Sequence, residues 1–206
     1  MRSLFACGIA VVACLLLVSC SKDPDGLEVD GDGLTAEIRA SIPDTILAGL
    51  RELGQPIYGG ANPPDITGTY LLDPAVGQAT SIVGDTVSVG HTFDPLTYTF
   101  ERQNDLLEIS ANFSAGNSSE EHAFRGYVVG EGCNFTAFMI YRRPSNSPGV
   151  EWVSLHSISG CVMDAGIEDA SYAGVQMEDP EGIFALWRQN GQGRRMADED
   201  DLAERQ

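Results

Sequence analysis

Basic charge is what this 206-residue chain has least of: Lys22 is its one lysine, and 12 Lys+Arg stand against 30 Asp+Glu for a formal net charge of −18. A surface of that sign repels phosphate, which argues against nucleic acid and anionic lipid headgroups as partners. Histidine is nearly as scarce. His91, His122 and His156 stand apart in the sequence, and none has the spacing that sets two ligands on one face, so no metal is expected. Glu120-Glu121-His122 runs along a predicted strand, where neighbours point to opposite sides, so each histidine is expected as a surface or core residue. The chain also lacks a Gly-x-Ser-x-Gly elbow, a phosphate-binding loop and a dinucleotide fingerprint. No catalytic residue and no cofactor is assigned, and the chain reads as non-enzymatic. With 30 acids some carboxylate pair always looks suggestive, and none stands out.

Long apolar runs are absent but for one. Arg2 is the only charge before Lys22, and residues 4–18 between them are apolar or small without interruption. A spanning helix needs roughly 20 such residues, whereas a secretory leader needs fewer behind a positive start. The run ends in Leu17-Val18-Ser19-Cys20, which resembles the lipobox of bacterial lipoproteins at all four positions. The resemblance implies removal of residues 1–19 and acylation of the Cys20 thiol, so that the membrane is a partner through lipid alone. Several acyl chains hold stably where one holds marginally.

Cysteine is sparse too. Cys7 and Cys14 fall in the leader and Cys20 is the lipid site, which leaves Cys133 and Cys161. In an oxidising compartment a disulfide between them is the expected outcome, with two separate buried thiols as the alternative.

Residues 20–40 are rich in Asp and Gly and read as an acidic flexible tether, with residues 41–206 as a single domain. Glu28, Asp30, Asp32 and Gly33 imitate the opening of an EF-hand loop, but its twelfth position, where a bidentate Glu belongs, is Arg39; calcium is not expected there. Ser41 with Asp44 three residues on can cap a helix over 41–53. Its stripe is Ile42, Ile46, Leu47, Leu50 and Leu53, and Gly54 stops it. That stripe packs on the domain or serves as a partner-binding face. From Ile66 the apolar period changes to two. Strands are predicted at 66–72, 80–89, 96–102, 106–113, 122–129, 134–141, 151–159 and 170–177, separated by turn-forming clusters. Eight sequential strands with hairpin-length links predict a mainly β fold: an antiparallel up-and-down barrel behind one short helix, with a β-sandwich as the alternative. Residues 183–187 (Ile-Phe-Ala-Leu-Trp) are expected to dock on the barrel and the charged end to fray.

The most distinctive stretch joins helix to first strand: Ile42-Pro43-Asp44, then Leu53-Gly54-Gln55-Pro56-Ile57-Tyr58, then Asn62-Pro63-Pro64-Asp65-Ile66-Thr67-Gly68-Thr69-Tyr70. It resembles a family of uncharacterised Bacteroidetes-type lipoproteins whose domain looks lipocalin-like. Ser159-Gly160, the stretch from Gly166 to Ala173, and Gly191 to Arg194 resemble that family's closing strands and tail. Gly68-Thr69-Tyr70 would stand where lipocalins carry Gly-x-Trp; Tyr70 departs from that pattern and favours the looser description of a calycin-like barrel. The resemblance also implies candidate O-glycosylation at Thr45 and Thr86, in Asp44-Thr45-Ile46 and Asp85-Thr86-Val87. Lys22-Asp23 with Asp25 looks like that family's signal for export to the cell surface, with a periplasm-facing position as the alternative. The sequons at Asn112, Asn117 and Asn134 belong to eukaryotic secretion, which the lipobox argues against.

The leading expectation is a lipid-anchored outer-membrane protein whose small barrel binds a small apolar or amphipathic ligand. The second is a structural or protein-interaction module presenting loops or the helix, and the third an acid–base enzyme at the barrel mouth. An eight-stranded barrel is just wide enough to be filled by side chains or to hold one small ligand. If Phe100, Phe113, Phe124, Phe138 and Trp152 fill the interior, the carrier loses to the interaction module.

Overall fold

The computed structural model describes residues 27–86, 89–145, 147–180 and 190–206. The lipidation site at Cys20, the leader and residues 183–187 lie outside them. Two helices are present among the described residues, α1 (Ala36–Ser41) and α2 (Asp44–Glu52). The helix predicted over 41–53 starts at Asp44 with Pro43 rather than Ser41 at its N-cap, and α1 is a further helix in the span read as tether. Pro43 disfavours helical backbone in the residue before it, and Ile42 is extended at φ −122° and ψ 104°. Thr35 caps α1 by accepting from the Ile38 N–H at 3.2 Å. Gly54, at φ +72°, follows the end of α2. At six and nine residues both helices are too short to persist alone. The ordered fold also starts earlier than expected: Leu34 and Ile38, inside the span read as a tether, are 1% and 0% exposed.

The acidic stretch before α1 makes its own cation site. Arg39 donates to Asp30 at 2.6 Å and to Asp44 at 3.1 Å, and pairs with Asp32; Arg51 reaches Asp32 at 2.9 Å. The residue that spoils the EF-hand pattern therefore gathers two of that pattern's acids, Asp30 and Asp32, itself.

The strands are β1 (Ala61–Asn62), β2 (Gly68–Leu72), β3 (Ala75–Thr80), β4 (Thr92–Phe93), β5 (Leu96–Glu101), β6 (Ser110–Ala115), β7 (Glu121–His122), β8 (Arg125–Glu131), β9 (Asn134–Pro144), β10 (Glu151–Val162), β11 (Gly166–Glu178), β12 (Gly193–Asp198) and β13 (Leu202–Arg205). They form one 13-stranded sheet in the order β1-β8-β9-β10-β11-β13-β2-β5-β6-β7, with β12 bridging β11 to β3 and β4 pairing β3. All pairs are antiparallel except β1 with β8. One sheet replaces the two of a sandwich, and it is not closed into a barrel.

The interruption lies at residues 102–109, where a continuous strand was expected from Leu106. Arg102 and Leu107 take φ of 56° and 62°, and the Asn104 side chain accepts from the Leu106 and Glu108 N–H groups at 3.0 Å. A left-handed residue breaks ladder pairing. What remains is an isolated Glu108–Tyr127 bridge between the approaching ends. At the carboxyl end, expected to fray, β13 is wedged between β11 and β2 with Ala203 fully buried.

Side chains on the two faces of β8 to β11 make two cores. The outer face packs Tyr127, Val129, Phe138, Ile140, Leu155, Ala173 and Val175 against Leu34, Ile38, Ile42, Ile46, Leu47, Leu50 and Leu53 of the helical segment. The expected stripe is therefore buried within the domain; each such residue contributes roughly 1.5–3 kcal/mol, which is what holds these short helices. At Gly49 a Cβ would lie 2.3 Å from the Gly191 carbonyl, so only glycine lets α2 sit this close. The inner face gathers rings from both halves of the sheet, including Tyr70, Tyr98, Phe100, Phe113, Phe135, Tyr141 and Tyr172.

Candidate functional site

Period-two alternation along β10 sends Ser154, His156 and Ile158 to the inner face and Leu155, Ser157 and Ser159 to the helix side. The same rule on β9 sends Met139, Tyr141 and Arg143 inward, and on β11 Tyr172. These positions converge with Tyr98 of β5 and Phe113 of β6. His156 sits at the centre: its ring centroid is 4.5 Å from Tyr141, 4.9 Å from Phe113 and 5.4 Å from Tyr172. Tyr98 lies 5.0 Å from Phe113 and 5.8 Å from Tyr172, and its hydroxyl is 3.5 Å from His156 Nδ1. These separations are those of packed aromatic pairs.

Two hydroxyls in this cluster are buried without a hydrogen-bond partner among the described residues: Tyr141 Oη and Ser154 Oγ. They belong to directly opposed residues of β9 and β10. A third, Ser157 Oγ, faces the helices. Burial, reinforced by Tyr172, pushes the Tyr98 and Tyr141 phenols up, so both stay neutral near physiological pH. Toward the rim, Arg143 pairs with Glu121 and lies over Trp152 at 4.4 Å and Tyr141 at 5.8 Å. The result is a neutral, ring-lined, hydroxyl-bearing patch beside one ion pair.

The five aromatics considered as filling are divided by the fold. Phe100 and Phe113 do fill the inner face. Phe138 faces the helices, Phe124 is 56% exposed under the Arg142 guanidinium, and Trp152 lies under Arg143. Cys133 and Cys161 form a disulfide with Cα atoms 4.7 Å apart. Thr45 on α2 and Thr86 after β3 are both exposed and apart from the aromatic cluster. His91 and His122 are exposed, and His122 meets Asn112 at 2.5 Å. Among the described residues no helix is long and apolar enough to cross a membrane, and no three His, Cys, Asp or Glu gather as metal ligands. A polar groove of about 190 Å³ lies at the β5–β6 hairpin, lined by Thr97, Thr99, Asn112, Ser114 and Glu120 among others.

The sequence reading missed Tyr98, Tyr141, Ser154 and Tyr172 as a group, and placed His156 only as a surface or core residue. A signal was present: in residues 151–159 the alternation puts a serine and a histidine in register with Ile158.

Another perturbed group lies at the end of β12, two residues beyond Met196, which opposes Tyr172. Asp198, 2% exposed at the end of β12, accepts from the Asp73 N–H at 3.0 Å and the Asp200 N–H at 3.3 Å. Burial first, and the Asp200 side chain next, push its carboxyl up to about 6. The folded state therefore holds a proton that the unfolded chain releases near pH 4. The stability this contributes is present in acid and lost as pH rises through about 6. Between pH 4 and 7 the wild-type chain is expected to lose roughly 1–2 kcal/mol relative to Asp198→Asn. Urea melts of the two proteins across that range check it; parallel profiles would contradict it.

No family model matches the chain, and no curated protein and no solved structure matches it.

Proposed function

We propose that this chain is a lipid-anchored bacterial outer-membrane protein, held by acyl chains on Cys20, whose β domain is a non-enzymatic interaction or display module. The reading of the anchor rests on the uninterrupted apolar run at 4–18 and the four-position match at Leu17-Val18-Ser19-Cys20. The observation that favours a module over a carrier of a lipid-sized ligand is the inner face. There Tyr70, Tyr98, Phe100, Phe113, Tyr141 and Tyr172 are each no more than 9% exposed and touch one another. Ligand sites in small barrels are open cavities of several hundred cubic ångströms, and a ring-filled face leaves the surface to do the work. The acid excess, −18 over the full chain and one unit more negative once Arg2 leaves with the leader, keeps such a module soluble beside the bilayer.

The test is mass spectrometry of the full chain purified from membranes in detergent, with Cys20→Ala alongside. The expected result is an amino-terminal peptide beginning at an acylated Cys20, and release of the variant to the soluble fraction. An unmodified amino-terminal peptide, or an uncleaved leader, would overturn the anchor. A long-chain lipid bound one-to-one to the folded domain would overturn the module in favour of the carrier.

A further inference from the structure

We propose that the groove at the β5–β6 hairpin is a binding site for one residue of a neutral saccharide. Around a volume of about 190 Å³ stand Thr97, Thr99, Asn112, Ser114, Ser118 and Glu120, and Phe113 is the one apolar member of the lining. Alternation sends Tyr98 and Phe113 to the inner core and the hydroxyl and amide side chains of both strands to the opposite face. There Thr97 opposes Ser114 and Thr99 opposes Asn112, and all four are half-buried. Threonine is an ordinary strand residue, but asparagine is depleted from strands, and Asn112 stands in the middle of β6. In a chain whose net charge is −18, Glu120 is the only ionisable side chain of this lining.

The guest's class follows from the groups present. A sugar residue carries several hydroxyls, each both donor and acceptor, and needs the same mixture opposite it; threonine and serine hydroxyls supply both roles. Ser118 Oγ accepts from the Ala115 N–H at 2.9 Å and keeps its own proton to give. His122 Nδ1 meets Asn112 Oδ1 at 2.5 Å, which occupies the amide oxygen and leaves the Nδ2 protons as donors. The Glu120 carboxylate can accept from two adjacent hydroxyls, a charge-assisted contact stronger than a neutral one. No basic residue lines the groove, so a phosphate, sulfate or carboxylate on the guest would meet Glu120 without a counter-charge. One carboxylate is too few for a divalent cation, and an apolar guest would leave the hydroxyls unpaired. The inference rests on the reading of a module that works through its surface and is independent of the anchor.

The experiment titrates the full chain, in a phosphocholine detergent free of sugar headgroups, with glucose, galactose and mannose, each paired with its uronate, which adds one carboxylate to the same ring. NMR reads the backbone amides and the Asn112 side-chain amide. At least one neutral hexose is expected to bind with a Kd of roughly 1–10 mM, with shifts centred on Thr97, Thr99, Asn112 and Ser114, and its uronate about tenfold more weakly. Glu120→Ala, at an exposed position, is expected to fold and to weaken the neutral sugar by about tenfold. Thr97→Val keeps the side chain's shape, removes one hydroxyl and is expected to weaken it by about threefold to tenfold. Binding by no neutral hexose, equal binding of a hexose and its uronate, shifts centred elsewhere, or an affinity unchanged in both variants would overturn the proposal. Acylated protein that binds no sugar would remove this inference and leave the anchor; sugar binding by an unacylated chain would do the reverse.

Discussion

Replacing Cys133 and Cys161 together by alanine is expected to lower the unfolding free energy by about 3–4 kcal/mol, with a Tm fall of roughly 10 °C. The bridge spans a sequence separation of 28 residues and joins neighbouring strand ends: Cys161 pairs with Asn134 in the ladder, and the Val162 N–H donates to the Cys133 carbonyl at 2.9 Å. Those backbone contacts survive the substitution. The native hairpin should therefore keep its shape while the unfolded chain gains the freedom that the cross-link removed. Urea melts with circular dichroism check this. A reducing agent should shift wild type by a similar amount and leave the variant unmoved; a loss below about 1 kcal/mol would show that the cross-link constrains the unfolded chain little.

The second large effect is expected at Gln55, a residue of the Leu53 to Tyr58 stretch that stood out in the sequence. Its amide is 4% exposed and used on both sides: Nε2 donates to Ser159 Oγ at 3.2 Å and to the Ser171 carbonyl at 3.0 Å, while Oε1 accepts from Ser171 Oγ at 2.9 Å. Around it, Ser159 Oγ donates to the Pro56 carbonyl, the Tyr58 N–H donates to Thr136 Oγ1, and Arg195 donates to the Leu53 carbonyl at 3.0 Å. This network pins the end of α2 to β9, β10, β11 and β12. Gln55→Ala leaves buried polar groups unsatisfied and a void beside them, and is expected to cost about 2–4 kcal/mol. Gln55→Glu is expected to cost more at neutral pH, because a buried carboxylate would face the Ser171 carbonyl, and to recover as the solution is acidified and the group becomes neutral. Chemical denaturation at pH 7 and pH 5 distinguishes the two. Equal stability of the two variants at both pH values would show that the site is open enough to hydrate a charge.

Much of the local structure was readable. Ile46, Leu47, Leu50 and Leu53 recur at helical spacing and all are buried on one side of α2, and Gly54 ends it where a left-handed residue is needed. The long strands β9, β10 and β11 overlap the predicted spans at 134–141, 151–159 and 170–177. Helix and strand periods are properties of neighbouring residues, so a linear reading can find them. The two-residue strands β1, β4 and β7 carry no period at all and exist only because another backbone lies alongside. The expected strand at 80–89 had the right composition, but β3 ends at Thr80 and a turn follows.

By itself the sequence determined a mainly β, acidic chain with an amphipathic helical segment and one cysteine pair free to bond, because each of these follows from composition or from local spacing. Tertiary structure alone decided that the sheet stays open at residues 102–109, that β13 wedges between β11 and β2, and that Tyr141, Ser154 and His156 share one face with Tyr98 and Phe113 from strands far away in sequence. The reason is the range of the forces: hydrogen-bond ladders and side-chain packing between distant segments depend on which backbones meet, and no local pattern records that choice.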